Sequence, residues 1–193
     1  NDKVSGVGDG KFNPDGTVTR AEFLKMAMDS FGIVGHAYRD GECLDATNDD
    51  WYCYYLQGAL DKDIIPKGMI EDCTVTNVTK TLAEATDDKE AVTTDVNIYT
   101  GKFYGDKPIT REEMAAIAVR CKNYKMRRLT DWDNERRIPV FSFKDSDEID
   151  EKYISDVVKA YNLNYIDGME DGRFAPKENL TRAQAAVVMN NLK

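Results

Sequence analysis

Gly172-Arg173-Phe174-Ala175-Pro176-Lys177-Glu178-Asn179-Leu180-Thr181-Arg182-Ala183-Gln184 is the stretch that decides how the chain is read, because its pattern occurs three times. The second copy runs from Gly101-Lys102-Phe103 through six residues to Thr110-Arg111-Glu112-Glu113. The first runs from Gly10-Lys11-Phe12 through Asn13-Pro14-Asp15-Gly16-Thr17-Val18 to Thr19-Arg20-Ala21-Glu22. The common pattern is Gly, a cation, Phe, six residues, Thr-Arg, any residue, then Glu or Gln. Recurrence without a gap marks an internal repeat.

Each copy leads into an apolar series at helical spacing: Phe23, Leu24, Ala27, Met28 and Phe31; Met114, Ala115, Ile117, Ala118 and Cys121; Ala185, Ala186, Val188, Met189 and Leu192. Thr19, Thr110 and Thr181 are predicted N-caps. Glu22, Glu113 and Gln184 at the third helical position complete a capping box, which satisfies two otherwise orphan amide donors. Capping explains the Thr and the Glu or Gln. It does not explain a cation at the first helical position, which the helix macrodipole mildly opposes. Arg20, Arg111 and Arg182 are therefore the candidate ligand residues. The loop cations Lys11, Lys102 and Arg173 are further candidates for lining a groove.

A second element precedes two copies. Tyr38-Arg39-Asp40 leads to a helix around Trp51, Leu56 and Ala59 that closes at Ile64-Ile65. Phe143-Lys144-Asp145 leads to one around Tyr153, Val157 and Ala160 that closes at Ile166. A unit is thus an aromatic-x-Asp start, a leading helix, a glycine-containing loop, a capping box and a motif helix. The expected architecture is mainly α: three helix-loop-helix repeats around a pseudo-threefold axis, since no unit can bury its apolar face alone. Residues 1–35 form the second half of the first repeat, 36–125 the second, 126–140 a connector and 141–193 the third. An insert near 71–100, rich in Thr, Asp and Val, reads as a surface excursion with strand tendency. Lys122 to Pro139 reads as a solvated charged helix ended by Pro139. The first unit lacks its leading helix, so cover for Phe23, Leu24 and Phe31 is expected from an upstream helix or a neighbouring copy.

A net charge of −9 excludes a general nucleic-acid binder, which needs a dense basic surface. No apolar run approaches the length of a membrane span. Cys43, Cys53, Cys73 and Cys121 contain no C-x-x-C pair and allow three pairings, among which spacing does not choose. Cys121 on an apolar face also reads as a buried thiol. The loop Lys11–Glu22 approximates an EF-hand spacing, but a cation fills the first ligand position in every copy, so no metal site is expected. Nothing recurs that would serve an enzyme: His36 is the sole histidine, and no Ser or Cys repeats with the motif. Trp51 is a further groove candidate, since its ring could stack on a sugar, although its helix position reads more simply as core. No cofactor is implied.

These motifs resemble the S-layer homology family: the aromatic-x-Asp start, the Gly-x-Phe-x-Pro loop seen in Phe12-Asn13-Pro14 and Phe174-Ala175-Pro176, and the Thr-Arg-Ala-Glu box seen in Thr19–Glu22 and Thr181–Gln184. Unit two departs, with Phe103-Tyr104-Gly105 lacking the proline and Glu112 replacing the alanine. The resemblance implies a spindle of three repeats with three grooves. It implies non-covalent anchoring of a secreted protein at the bacterial cell-wall surface through an anionic secondary polysaccharide, often pyruvylated. It also implies that the box arginines contact the ligand, Arg111 being the least important because unit two departs most. A calcium-binding or protein-binding helical module is the alternative. Independently of any family, free N–H groups at a helix start beside an Arg fork suit an anion.

Overall fold

Thr19 and Thr181 each accept a hydrogen bond from the amide of the residue three ahead, and Glu22 and Gln184 reach back to the cap amide. From these boxes run α1, Arg20–Phe31, and the last helix, Arg182–Asn191. The computed structural model describes residues 12–36, 44–47, 49–83, 90–127 and 143–192. Among them are five α-helices and one hairpin: α1, α2 (Cys53–Asp61), β1 (Glu71–Ala83), β2 (Val92–Lys102), α3 (Arg111–Arg127), α4 (Glu151–Asn162) and α5 (Arg182–Asn191). The fold is mainly α-helical, as the periodicity predicts.

The central element is α3, where every residue from Arg111 to Val119 is buried. Ala115, Ala116 and Ala118 let its neighbours approach closely. It packs on α4 and α1, and α1 also meets α2 and α5. The extended segments ahead of the boxes form a closed ring of backbone hydrogen bonds. Val18 donates to Leu180 at 3.0 Å, Leu180 to Ile109 at 2.9 Å, and Ile109 back to Val18 at 2.9 Å. Val18, Ile109 and Leu180 are wholly buried there, so each unit supplies one apolar residue and one peptide group to the same ring.

The insert forms a long antiparallel hairpin, with Asn77 opposite Asn97 and Thr79 opposite Asp95. Its many Thr and Val residues suit a pleated, largely exposed ribbon. Its base is fixed by Tyr99, whose hydroxyl donates to the Leu60 carbonyl at 3.4 Å. Gly101 has φ +126°, and a side chain there would meet the Glu71 carbonyl.

The repeats also share a backbone irregularity. The residue after the motif Phe has positive φ in every copy: Asn13 at 52°, Tyr104 at 53° and Ala175 at 58°. In unit three Asp145 holds this turn by accepting from the amides of Phe174 and Ala175, both at 2.8 Å. In unit two the same task falls to Asp45, which accepts from Phe103 and Tyr104 at 2.7 and 3.0 Å. Asp45 is thus the counterpart of Asp145. Tyr38-Arg39-Asp40, which the sequence comparison aligned there, lies outside the described residues.

Two further expectations change. Trp51 is not core: it is 53% exposed, while Tyr52 beside it is buried. Tyr52 and Tyr153 both lead to a buried Ile thirteen residues on, Ile65 and Ile166, so Tyr52 is in register and Trp51 is one residue off. Phe23 and Leu24 are fully covered and Phe31 nearly so, by this chain alone. The motif helix with an open face is instead α5, where Val187 is 59% exposed and its counterpart Ala116 is buried. The reason is that a leading helix covers the motif helix of the preceding unit: α2 packs on α1, and α4 on α3. Finally, Cys53, Cys73 and Cys121 carry free thiols, and Cys43 lies outside the described residues. Cys121 is wholly enclosed, and burial raises its pKa far above the ordinary thiol value.

The connector begins as part of α3, which continues to Arg127; residues 128–142 lie outside the described part.

Candidate functional site

Each motif helix starts against the loop of the next unit. The Arg20 and Ala21 amides donate to the carbonyls of Lys107 and Gly105, both at 2.9 Å. Arg111 and Glu112 donate to Glu178 and Pro176, at 3.0 and 3.2 Å. Arg182 and Ala183 donate to Gly16 and Pro14, at 2.8 and 3.0 Å. The helix-start amides expected to be free for an anion are therefore committed to neighbouring loops. This corrects the picture of open helix ends, since a buried donor is costly to leave unmet.

The arginine side chains take the same route. Arg20 Nη1 donates to the Phe103 carbonyl at 2.7 Å. Arg111 Nε donates to the Phe174 carbonyl at 2.7 Å, and Arg182 Nε to the Phe12 carbonyl at 2.9 Å. Each guanidinium lies 5–6 Å from the ring centre of that same Phe, within cation–π range. All three arginines are buried. The structure thus brings together Arg20, Arg111 and Arg182 with the motif phenylalanines, one pair at each junction.

The junctions differ in charge. Arg20 is held side-on by Glu113: its Nε donates to Glu113 Oε2 at 3.1 Å and its Nη2 to Oε1, both partners being buried. Glu113 also accepts from the Thr110 amide at 3.2 Å, so one carboxylate serves the cap and the arginine together. Arg111 has no carboxylate within 4 Å among the described residues. Its Nη2 donates to the Asp167 carbonyl at 2.9 Å. Burial lowers its pKa, opposed by the more distant charges of Glu178, Asp145 and Asp167.

The loop that receives α1 also walls a cleft of about 690 Å³. Its lining includes Asp45, Asp50, Tyr52, Tyr104, Asp106 and Lys107. Burial raises the Tyr52 pKa well above that of a free phenol, and the negative charges of Asp50, Asp45 and Asp106 add to the effect. Sequence reasoning passed over this acidic cleft. The available signal was the Asp45–Phe103 pairing, which the hairpin separates widely in sequence. In unit three, Lys177 stands where unit two has Asp106. It bridges Glu112 at 2.7 Å and Asp150 at 2.8 Å, which lowers the Asp150 pKa.

The other candidates lie apart from one another. Lys102 reaches over the Tyr104 ring at 5.9 Å. Arg173 pairs with Asp171 at 2.8 Å and Glu178 at 3.5 Å on the surface. Trp51 stands edge-on to Tyr52 at 5.6 Å beside the acidic cleft. Lys11 is outside the described residues. The EF-hand reading gains nothing, because Glu22 spends its carboxylate on the Thr19 amide at 2.9 Å. Among the described residues no cluster of three or more His, Cys, Asp or Glu is arranged to hold a metal.

The family profile described as "S-layer homology domain" matches residues 4–24 and 142–186, which include the first and third boxes. The chain contains S-layer homology sequence. It is also 33% identical over 189 residues, 98% of its length, to the amylopullulanase of Thermoanaerobacterium thermosulfurigenes and to exoglucanase XynX of Acetivibrio thermocellus. It is 30% identical over the same length to an endoglucanase of Bacillus sp. (strain KSM-635). The chain spans only 8%, 14% and 16% of these relatives respectively. An S-layer homology domain is a cell-wall anchoring module and is itself non-catalytic. Among the described residues no helix is long and apolar enough to cross a membrane.

The caps of this S-layer homology sequence can be tested apart from its ligand. Thr19→Ala should lower the unfolding free energy by about 1 kcal/mol through loss of the capping box. Urea unfolding followed by far-UV circular dichroism measures it, and Thr19→Ser should restore most of the loss.

Proposed function

We propose that this chain anchors the protein that carries it to the bacterial cell wall by binding an anionic, pyruvylated secondary polysaccharide. The ring through Val18, Ile109 and Leu180 supports reading the repeats as a pseudo-threefold spindle whose junctions are the grooves. The observation that carries the ligand assignment is the buried guanidinium of Arg111, held in place by two carbonyls and, among the described residues, within 4 Å of no carboxylate. A fixed planar donor in a poorly hydrated setting binds a carboxylate more strongly than a mobile surface cation would. The relatives' names suggest that the cargo is a polysaccharide-degrading enzyme, kept outside the cell at the wall. The chain itself supplies attachment and no chemistry.

The motif alone ranks Arg111 last among the three arginines. The geometry supports the opposite rank, with Arg111 first and Arg20, already neutralised by Glu113, last. Arg111→Ala should weaken binding to cell-wall sacculi at least tenfold, about 1.4 kcal/mol. Co-sedimentation of purified protein with sacculi measures this, with circular dichroism confirming that the variant is folded. Unchanged binding by folded Arg111→Ala would remove the ligand assignment.

A further inference from the structure

Arg120 lies nine residues along α3 from Arg111, about 13 Å further from the helix start at 1.5 Å per residue. There the ends of α2 and α4 meet α3 around a recess of about 150 Å³. Lys62 and Asp63 line it from the end of α2, Arg120 and Asn123 from α3, and Asp156 and Lys159 from α4. None of these residues belongs to a junction. Three cations face two carboxylates here, in a chain whose net charge is −9. A positive recess on so acidic a protein concentrates anions locally.

The donors are arranged and not all spent. Arg120 Nε donates to Oδ2 of the buried Asp156 at 2.9 Å, and Nη1 donates to the Asp63 carbonyl at 3.3 Å, which fixes the plane of the guanidinium. The Asp63 carboxylate stands 3.5 Å from Nη1, but its side chain is largely exposed and its charge is screened by water. Arg120 Nη2 has no partner among the described residues, and it is not one of the fully buried unpartnered atoms, which are Gln57 Oε1 and Asn162 Nδ2. It is therefore open to solvent. Lys159 and Asn123 are half-buried, and their side chains also have no partner among the described residues. Lys62 is held at the rim, 3.0 Å from His36 Nε2 and 6.0 Å from the centre of the Tyr124 ring. A cation in the last turn of α4 suits the helix dipole, which accounts for Lys159 alone. It does not account for a clamped guanidinium beside it with one nitrogen unspent.

We propose that this recess is an anion site separate from the junctions, and that it takes a phosphate group. Arg120 Nη2 and Lys159 Nζ supply charge, and the Asn123 amide adds a neutral donor. The volume is well below the roughly 300–1,000 Å³ of clefts that hold drug-sized ligands, so it admits an oxyanion and not a sugar ring. A tetrahedral oxyanion offers acceptors in more directions than a planar carboxylate, which suits donors arriving from two helices. A guanidinium already fixed in plane loses little freedom on taking it.

Inorganic phosphate is titrated into the whole chain while the Arg120 Nε–H signal, sheltered by its Asp156 pair, is followed by NMR. The signal should move saturably, and sodium chloride at matched ionic strength should leave it in place. Lys159→Met removes a cation that no protein group uses, so the melting temperature without phosphate should not change. Phosphate binding by that variant should weaken at least about tenfold, as the loss of one hydrogen bond to a charged group implies. Dimethyl phosphate distinguishes two sources of the group. If it binds as inorganic phosphate does, the recess accepts a phosphodiester such as a wall polymer carries; if inorganic phosphate alone binds, the recess takes the free ion; either result upholds the site. An Arg120 signal that phosphate leaves unmoved, the same displacement in sodium chloride, or a Lys159→Met protein that titrates like the parent overturns the proposal.

Discussion

Arg20→Ala should lower the unfolding free energy by about 3–5 kcal/mol, because it leaves the buried Glu113 carboxylate without its partner. The same change removes the donor to the Phe103 carbonyl and the cation stacked on that ring. Urea denaturation with the slope held common to parent and variant gives the number. The size of the effect separates two roles that the motif cannot distinguish. An arginine kept only for a ligand would leave the melting temperature almost unchanged. Arg20→Ala combined with Glu113→Ala should be less damaging than the sum of the single changes, since the double variant leaves no lone buried charge.

Asp145→Ala should cost roughly 2–4 kcal/mol by orphaning the buried amides of Phe174 and Ala175. These amides sit in the turn where Ala175 takes φ 58°, a conformation that an L-residue other than Asn or Gly adopts only under compulsion. Once the carboxylate is gone the turn has reason to relax, carrying with it the Phe174 carbonyl that holds Arg111 Nε. Sacculus binding should therefore fall together with stability. Asp145→Asn, which can accept only one of the two bonds well, should lie between. Thermal unfolding and hydrogen exchange at Phe174 and Ala175 report the two parts of this expectation.

Much of this molecule is legible in the sequence because its repeats are local. Thr19 and Glu22, or Thr181 and Gln184, lie within one helical turn, so spacing alone reveals both the cap and the helix that follows. The fate of the arginines is not local. Arg20 is neutralised by a residue 93 positions away, across the junction, and only the packing of one unit on the next pairs them. The closed helix-start amides escaped notice for the same reason, since their acceptors Gly105, Lys107, Pro176 and Glu178 belong to other units. Register errors arose where the spacing shifts by one residue. Tyr52 is one residue beyond the position assigned to Trp51, and Tyr38-Arg39-Asp40 imitates the pattern of Phe143-Lys144-Asp145 more closely than the stretch around Asp45 does. The hairpin was visible only as a composition of Thr and Val, because an exposed ribbon has no buried face to impose an alternating pattern.

The central claim is that the chain recognises a secondary polymer and not the wall as a whole. Co-sedimentation with sacculi before and after chemical removal of that polymer tests it most directly. The account predicts saturable binding to intact sacculi that is lost when only peptidoglycan remains, and that is competed by the released polymer. Equal binding to stripped peptidoglycan, or failure to bind either preparation, would contradict it.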